Sequence, residues 1–126
     1  MAGTLACDTI QNGAGTSVPT TTVISGSAKA WVNFDGGRVN SVGTIYGSFN
    51  VSSITYITTG TYVVNFTNAL ADANYAFAGG GEYYPTANGL MCVSCYARTT
   101  TAIYLNVDYA NTTNYNPDRV NVVCFR

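Results

Sequence analysis

The chain has 126 residues, of which 47% are apolar and only 9% are charged, with a net charge of −1 and no histidine. This length suits one hydrophobic core and is short for two. Without a basic cluster the chain has little to attract a phosphate backbone, and no window approaches the roughly 20 apolar residues of a membrane span. We therefore expect neither nucleic-acid binding nor membrane insertion.

The residue types predict β-structure. Threonine, valine, tyrosine, asparagine, serine and glycine dominate, and such β-branched, aromatic and turn-forming residues favour strands and tight turns over helices. Because so few charges are available, either uncharged polar residues such as Asn, Thr, Ser and Tyr cover the surface, or part of the apolar surface is buried against identical copies. We expect the second, an obligate oligomer.

The N-terminal segment differs in composition from the rest of the chain. Residues 1–27 are rich in Thr, Gly, Ser and Ala and show no sustained periodicity, which predicts an extended or oligomer-supported arm. The opening MAGTLACDTI lacks the charged start and apolar run of a secretion signal, so we expect synthesis in a cytoplasm. From Ala28, short apolar runs alternate with turn signals, which predicts one compact domain over 28–126.

The apolar runs of this domain predict an all-β fold, an antiparallel β-sandwich of about seven strands. We expect the strands at residues 29–34, 49–57, 61–66, 75–80, 91–97, 102–110 and 119–126. Thr58-Thr59-Gly60 is predicted to be a three-residue hairpin loop in which Gly60 supplies a positive φ. In 102–110, Ile103, Leu105, Val107 and Tyr109 share one face, as in a strand with one solvated side.

Two long loops, 81–89 and 111–119, carry the candidate ligand-binding residues. Tyrosines in loops are less committed to packing than tyrosines in strands, and beside amides and carboxylates they offer a flat apolar surface with fixed hydrogen-bonding groups. The candidates are Glu82, Tyr83, Tyr84, Asn88, Asn111, Asn114, Tyr115 and Asp118. This set suits a weak carbohydrate or surface-protein site, and packing of the loops on one another at an oligomer tip is the alternative.

Catalytic chemistry has little support in this sequence. The lack of histidine removes the commonest general base and every Ser-His or Cys-His arrangement. A glycosidase needs two carboxylates facing each other across a cleft, and only Glu82 with Asp108 or Asp118 flanks the long loops. We expect no enzyme activity, no catalytic residue and no cofactor.

Cysteine and tryptophan each allow two interpretations. Cys92 and Cys95, with Cys7 and Cys124, could complete a zinc site or form disulfides. Positions three apart on a strand face opposite sides, so we expect the cysteines to pack as small apolar side chains and to bind no metal.

Alternation along the strand 29–34 places Trp31 on one face and Val32 and Phe34 on the other. Trp31 could stack on a sugar ring, but we expect it to pack in the core.

Four strings in order carry a likeness to a known family: DTIQNGAGTSVPT, AKAWVNFDG, SFNVSSIT and GTYVVNFTNALADANYA. Together they cover most of residues 8–78 and resemble a module found near the C-termini of many phage and prophage tail fibre proteins. The chain departs from that module over 36–47, which is longer than the usual link, and after Gly79.

The resemblance implies an all-β, usually trimeric fibre component at the host-facing end, with variable loops. We therefore expect a virion protein of the tail fibre, made in the host bacterial cytoplasm, in which residues 1–27 are an extended arm or fibre-connecting segment. We also expect a homotrimer that binds a bacterial surface glycan or outer-membrane protein for host recognition. The alternative is a structural virion component, such as a fibre connector or capsid decoration protein, without receptor binding. No functional residue is carried over from the family.

Overall fold

The computed structural model describes residues 3–38, 41–83, 91–109 and 113–126. Strands make up most of these residues, with one short helix. In chain order the elements are β1 (Thr9–Gln11), β2 (Ser17–Pro19), α1 (Thr20–Gly26), β3 (Ala28–Asp35), β4 (Ile45–Phe49), β5 (Val51–Thr58), β6 (Thr61–Phe66), β7 (Ala76–Glu82), β8 (Met91–Arg98), β9 (Ala102–Tyr109), β10 (Thr113–Asn114) and β11 (Arg119–Phe125).

The two main sheets are antiparallel and pack face to face. One has four strands in the order β4-β3-β11-β7, and the other has five, in the order β10-β9-β6-β5 with β8 also paired to β9. The prediction of an all-β antiparallel sandwich is confirmed. The sheets contain two more strands than expected, β4 and β10. All of β4 except Phe49 lies where no strand was predicted, and β10 was predicted as loop.

Alternation along the strands sorts side chains between the core and the two outer faces. In β9, Ile103, Leu105 and Val107 are fully buried, as predicted. In β3, Val32 and Phe34 face the core, whereas Trp31 points to the opposite face and is 42% exposed. The expectation that Trp31 packs in the core is therefore wrong, because the core is formed by the other face of its strand.

Asn50 is the corner at which the chain passes from one sheet to the other. The predicted strand 49–57 is interrupted here, since β4 ends at Phe49 and β5 begins at Val51. Asn50 has a positive φ of 56°, a conformation that asparagine tolerates better than most residues. Its Nδ2 donates to the Lys29 carbonyl oxygen at 3.0 Å, and its Oδ1 accepts from the Asn68 amide at 2.8 Å. These bonds satisfy the side chain and fix the bend.

The hairpin between β5 and β6 closes with two residues rather than the predicted three. Thr58 pairs with Thr61, which leaves Thr59 and Gly60 as the turn. Gly60 has a φ of 69°, so the expected positive φ is confirmed. A Cβ at this position would also lie 2.5 Å from the Val107 carbonyl oxygen, so a side chain would clash with β9.

The N-terminal segment carries more local structure than an extended arm. Within described residues 3–27, β1 and β2 form a small hairpin that leads into α1, and no residue is fully buried. Leu5, Ile10 and Ile24 are exposed apolar side chains of this segment. None of the helices in the described residues is long and apolar enough to cross a membrane.

Candidate functional site

Three tyrosines meet where the ends of the two sheets come together. Tyr83 follows β7, Tyr109 is the last residue of β9, and Tyr115 follows β10. The ring centroids are 5.5 Å apart for Tyr83 and Tyr115, and 6.0 Å apart for each pair that includes Tyr109. These separations are within the range of favourable aromatic pairs. We refer to Tyr83, Tyr109 and Tyr115 as the tyrosine cluster.

Arg38 joins the tyrosine cluster to a carboxylate. Its guanidinium carbon lies 4.1 Å from the centroid of the Tyr83 ring, a cation–π distance. Its Nη1 donates to Asp118 Oδ1 at 3.0 Å and to Oδ2 at 3.1 Å. Hydrogen bonding to Tyr115, and then to Asp118, raises the pKa of the Arg38 guanidinium further above its already high range. The cation is therefore permanent and held in place from several sides.

The segment that carries Tyr115 and Asp118 is fixed by contacts with three strands. The Asp118 amide donates to the Glu82 carbonyl oxygen at the end of β7, at 2.8 Å. Asn116 Oδ1 accepts from the amide of Gly60 at 2.8 Å, beside the start of β6. Pro117 is buried against Gly36, after β3, where a Cβ would lie 2.4 Å from the proline carbonyl oxygen. The site is therefore built on the scaffold before any ligand arrives.

Of the eight predicted ligand-binding residues, the structure brings together Tyr83, Tyr115 and Asp118. Predicted residues Tyr84, Asn88 and Asn111 lie outside the described residues.

Glu82 and Asn114 were predicted in loops, and both lie in strands instead. Glu82 is the last residue of β7 and its Oε1 accepts from Asn121 Nδ2 at 3.1 Å, on the outer face of the four-stranded sheet. Asn114 belongs to β10 and its Nδ2 donates to Thr61 Oγ1 at 3.4 Å. Both side chains form hydrogen bonds outside the tyrosine cluster. The two residues lie in strands because strand pairing continues further along the chain than the turn-forming residues suggested.

Sequence reasoning missed Arg38 and Tyr109. Tyr109 continues the apolar alternation of β9, which predicts a core position, but the sheet ends there and its ring emerges 39% exposed. Arg38 stands in a segment without a recognisable motif. Only its rarity as a cation could have drawn attention to Arg38, since the chain has five lysines and arginines in total.

The cysteines have no shared site in the structure. Cys92 is exposed on β8 while Cys95 packs against the core, so the two diverge as strand alternation predicted. Cys124 is buried, and burial, followed by the neighbouring Cys95, raises the pKa of its thiol to about 11. Within the described ranges, no group of three or more His, Cys, Asp or Glu side chains is placed to hold a metal ion.

No family model, no curated protein and no solved structure matches this chain. The tyrosine cluster, Arg38 and Asp118 place aromatic rings, a permanent cation and a carboxylate in fixed positions at one end of the sandwich.

Proposed function

We propose that this chain is the distal, receptor-binding domain of a phage tail fibre, which attaches the virion to a bacterial surface glycan or outer-membrane protein. The observation that carries the proposal is the tyrosine cluster with Arg38 and Asp118 at one end of the sandwich. Tyrosine suits recognition surfaces because it supplies a large, rigid, amphipathic contact area at a small entropic cost.

The rigidity of this end supports binding. Arg38 and Asp118 hold each other, and hydrogen bonds to Glu82 and Gly60 fix the segment that carries Tyr115. Groups that are ordered in the free protein do not have to lose that freedom on binding, so more of the contact energy appears as affinity.

A homotrimer would suit both the surface and the task. The hairpin and the helix of residues 3–27 bury no side chain fully, and elements this short are marginal alone in water, so other chains are needed to cover them. Linked copies also raise avidity by orders of magnitude, which lets shallow individual sites hold a cell.

A structural virion part without receptor binding is the second candidate. It is favoured by the contacts within the cluster itself, since the rings pack on one another and Arg38 covers one face of Tyr83. Loops that pack in this way at an oligomer tip would stiffen a connector as well as build a binding surface.

Adsorption of labelled protein to bacterial cells separates these candidates. We expect Tyr83→Ala combined with Tyr115→Ala to lower adsorption at least about tenfold, because central aromatic side chains dominate contact energies. Each ring pair contributes about 0.5–1.5 kcal/mol, so the variant should melt below the parent but remain folded.

The matched control is Tyr96→Ala. Tyr96 is 53% exposed and lies at the opposite end of β8 from the tyrosine cluster, so this variant should adsorb like the parent. A folded double variant that adsorbs as well as the parent would contradict the assignment of the site and favour the structural candidate.

A further inference from the structure

The outer face of the four-stranded sheet carries a groove of about 440 Å³. It crosses β3, β11 and β7, and its volume falls within the roughly 300–1,000 Å³ typical of small-ligand sites. The outward-facing residues that line it are Trp31, Asn33, Ala78, Gly80, Asn121 and Val123.

Trp31 forms one wall of this groove. Its ring leans over β4, where a Cβ at Gly47 would lie 3.5 Å from Cζ3, in van der Waals contact. The small neighbour lets the indole lie against the sheet while it remains 42% exposed. The result is a flat apolar surface held in a defined orientation.

The opposite side of the groove is open because β7 carries almost no side chain there. Gly79 faces inward, where a Cβ would lie 3.0 Å from Val93 Cγ1, so packing between the sheets accounts for this glycine. Gly80 faces outward, and a Cβ there would meet no atom of the described residues within 4 Å. Packing therefore does not require glycine at position 80, and its missing side chain keeps the groove open.

The floor of the groove is polar in its middle. Asn33 Nδ2 donates to Asn121 Oδ1, and Asn121 Nδ2 donates to Glu82 Oε1 at 3.1 Å. Asn33 Oδ1 is buried and accepts no hydrogen bond from the described residues. Buried acceptors without a donor are rare and destabilising, so a ligand that brings a hydrogen-bond donor to Asn33 Oδ1 would be favoured.

We infer that this groove binds a neutral saccharide. The C–H face of a pyranose would stack on Trp31, and its hydroxyl groups would hydrogen-bond to Asn33, Asn121 and Glu82. A second copy of this chain fits less well, because an apolar partner surface would take these polar groups out of water without offering a donor to Asn33 Oδ1. The inference rests on the proposed function in one respect: it names the receptor class, on a face separate from the tyrosine cluster.

The charges at one end of the groove favour a neutral ligand. Arg119 stands in register between Asp35 on β3 and Glu82 on β7, and its guanidinium lies 4.4 Å from the centroid of the Tyr46 ring. One face of the cation is thus already covered by an aromatic ring, and the neighbouring strand positions carry carboxylate residues, so an acidic sugar would gain little from it.

Trp31 is the only tryptophan in the chain, so its fluorescence reports on this groove. The probes are methyl β-D-galactopyranoside, methyl β-D-glucopyranoside and diacetylchitobiose, at up to about 50 mM to cover millimolar affinities. We expect a saturable change in Trp31 emission with at least one of them. Gly80→Val should weaken that binding at least about tenfold while the melting temperature stays at or above that of the parent, because valine favours strands.

Trp31→Ala, followed by saturation-transfer NMR with the same probe, is the second variant and should also lose binding. Tyr96→Ala, an exposed aromatic residue on the other sheet, should bind like the parent. The inference is overturned if none of the three probes gives a saturable change, or if folded Gly80→Val binds as well as the parent. It is also overturned if Gly80→Val lowers the mass of the assembly, since the face would then be a contact between copies.

Receptor binding and saccharide binding in the groove can be rejected independently of each other. Cell adsorption by the parent that Gly80→Val and Trp31→Ala leave intact would reject the groove as the receptor site but not receptor binding. A saccharide response of Trp31 in a protein that adsorbs to no bacterium would reject receptor binding but not the groove.

Discussion

Cys124 lies in the core at 1% exposure, whereas Cys7 and Cys92 are exposed to solvent. Burial disfavours the thiolate, and the pKa of Cys124 rises from 9.0 to about 11. The unfolded chain binds this proton less tightly than the folded chain does. The contribution of Cys124 to stability is therefore fully present below pH 9 and is lost as the pH rises towards 11.

We expect the urea midpoint of the parent to fall between about pH 9 and pH 11, with a smaller fall in Cys124→Ala. Burial also raises the pKa values of Tyr62 and Tyr75, which adds a loss of the same sign in both proteins at the upper end. Midpoints that fall equally in both proteins from pH 9 would contradict a buried, protonated Cys124.

At the residue scale, side-chain alternation was the informative part of the sequence. It placed Ile103, Leu105 and Val107 on one buried face, and it separated Trp31 from Val32 and Phe34. Alternation alone does not say which face becomes the core when both carry apolar residues. That is why Trp31 was assigned to the wrong side.

At the scale of elements, the approach of β7 to β8 depends on small inward-facing residues. A Cβ on Gly81 would lie 2.9 Å from Met91 Cβ, close to the backbone of β8, and 3.4 Å from Val107 Cγ1. Met91 Cβ cannot move without its strand. A side chain at Gly81 therefore has to push the two sheets apart.

We expect Gly81→Val to lower the free energy of unfolding by about 1–3 kcal/mol through overpacking. Gly80→Val is the matched control one residue away, and it should be neutral or stabilising by up to about 1 kcal/mol because valine favours strands. Urea unfolding of both variants measures the difference. Equal stabilities for the two variants would show that the contact of β7 with β8 is not close-packed.

The main strands could be predicted from apolar runs and turn residues, but their interruptions could not. Asn50 turns the chain without glycine or proline, and it does so with hydrogen bonds to Lys29 and Asn68 that only the folded sandwich supplies. Glu82 continues β7 because its strand pairs with β11, far along the chain. Contacts of this kind are not visible in a local pattern.

At the scale of the whole molecule, the candidate site depends on the strand order. Tyrosine-rich loops suggested Tyr83, Tyr115 and Asp118, but the addition of Arg38 follows from the placement of β11 between β3 and β7. That order brings the end of β3 beside the end of β7. No spacing in the sequence encodes it.

The N-terminal segment, residues 3–27, exposes apolar side chains that the rest of the described chain does not cover. Leu5, Ile10, Val23 and Ile24 are exposed on a hairpin and a helix that are too short to be stable alone. Few charges are available to keep such a surface in solution. Association of several copies through the N-terminal segment would cover these side chains. It would also present several tyrosine clusters together.

The measurement that tests this account most directly is the absolute mass of the purified protein in solution by light scattering. The proposal of a multivalent fibre tip predicts a mass of about 40 kDa, three times the 13.3 kDa of one chain. A mass of one chain across the accessible concentration range would contradict it. The apolar N-terminal segment would then stand uncovered, and a single shallow site would lack the avidity that cell attachment needs.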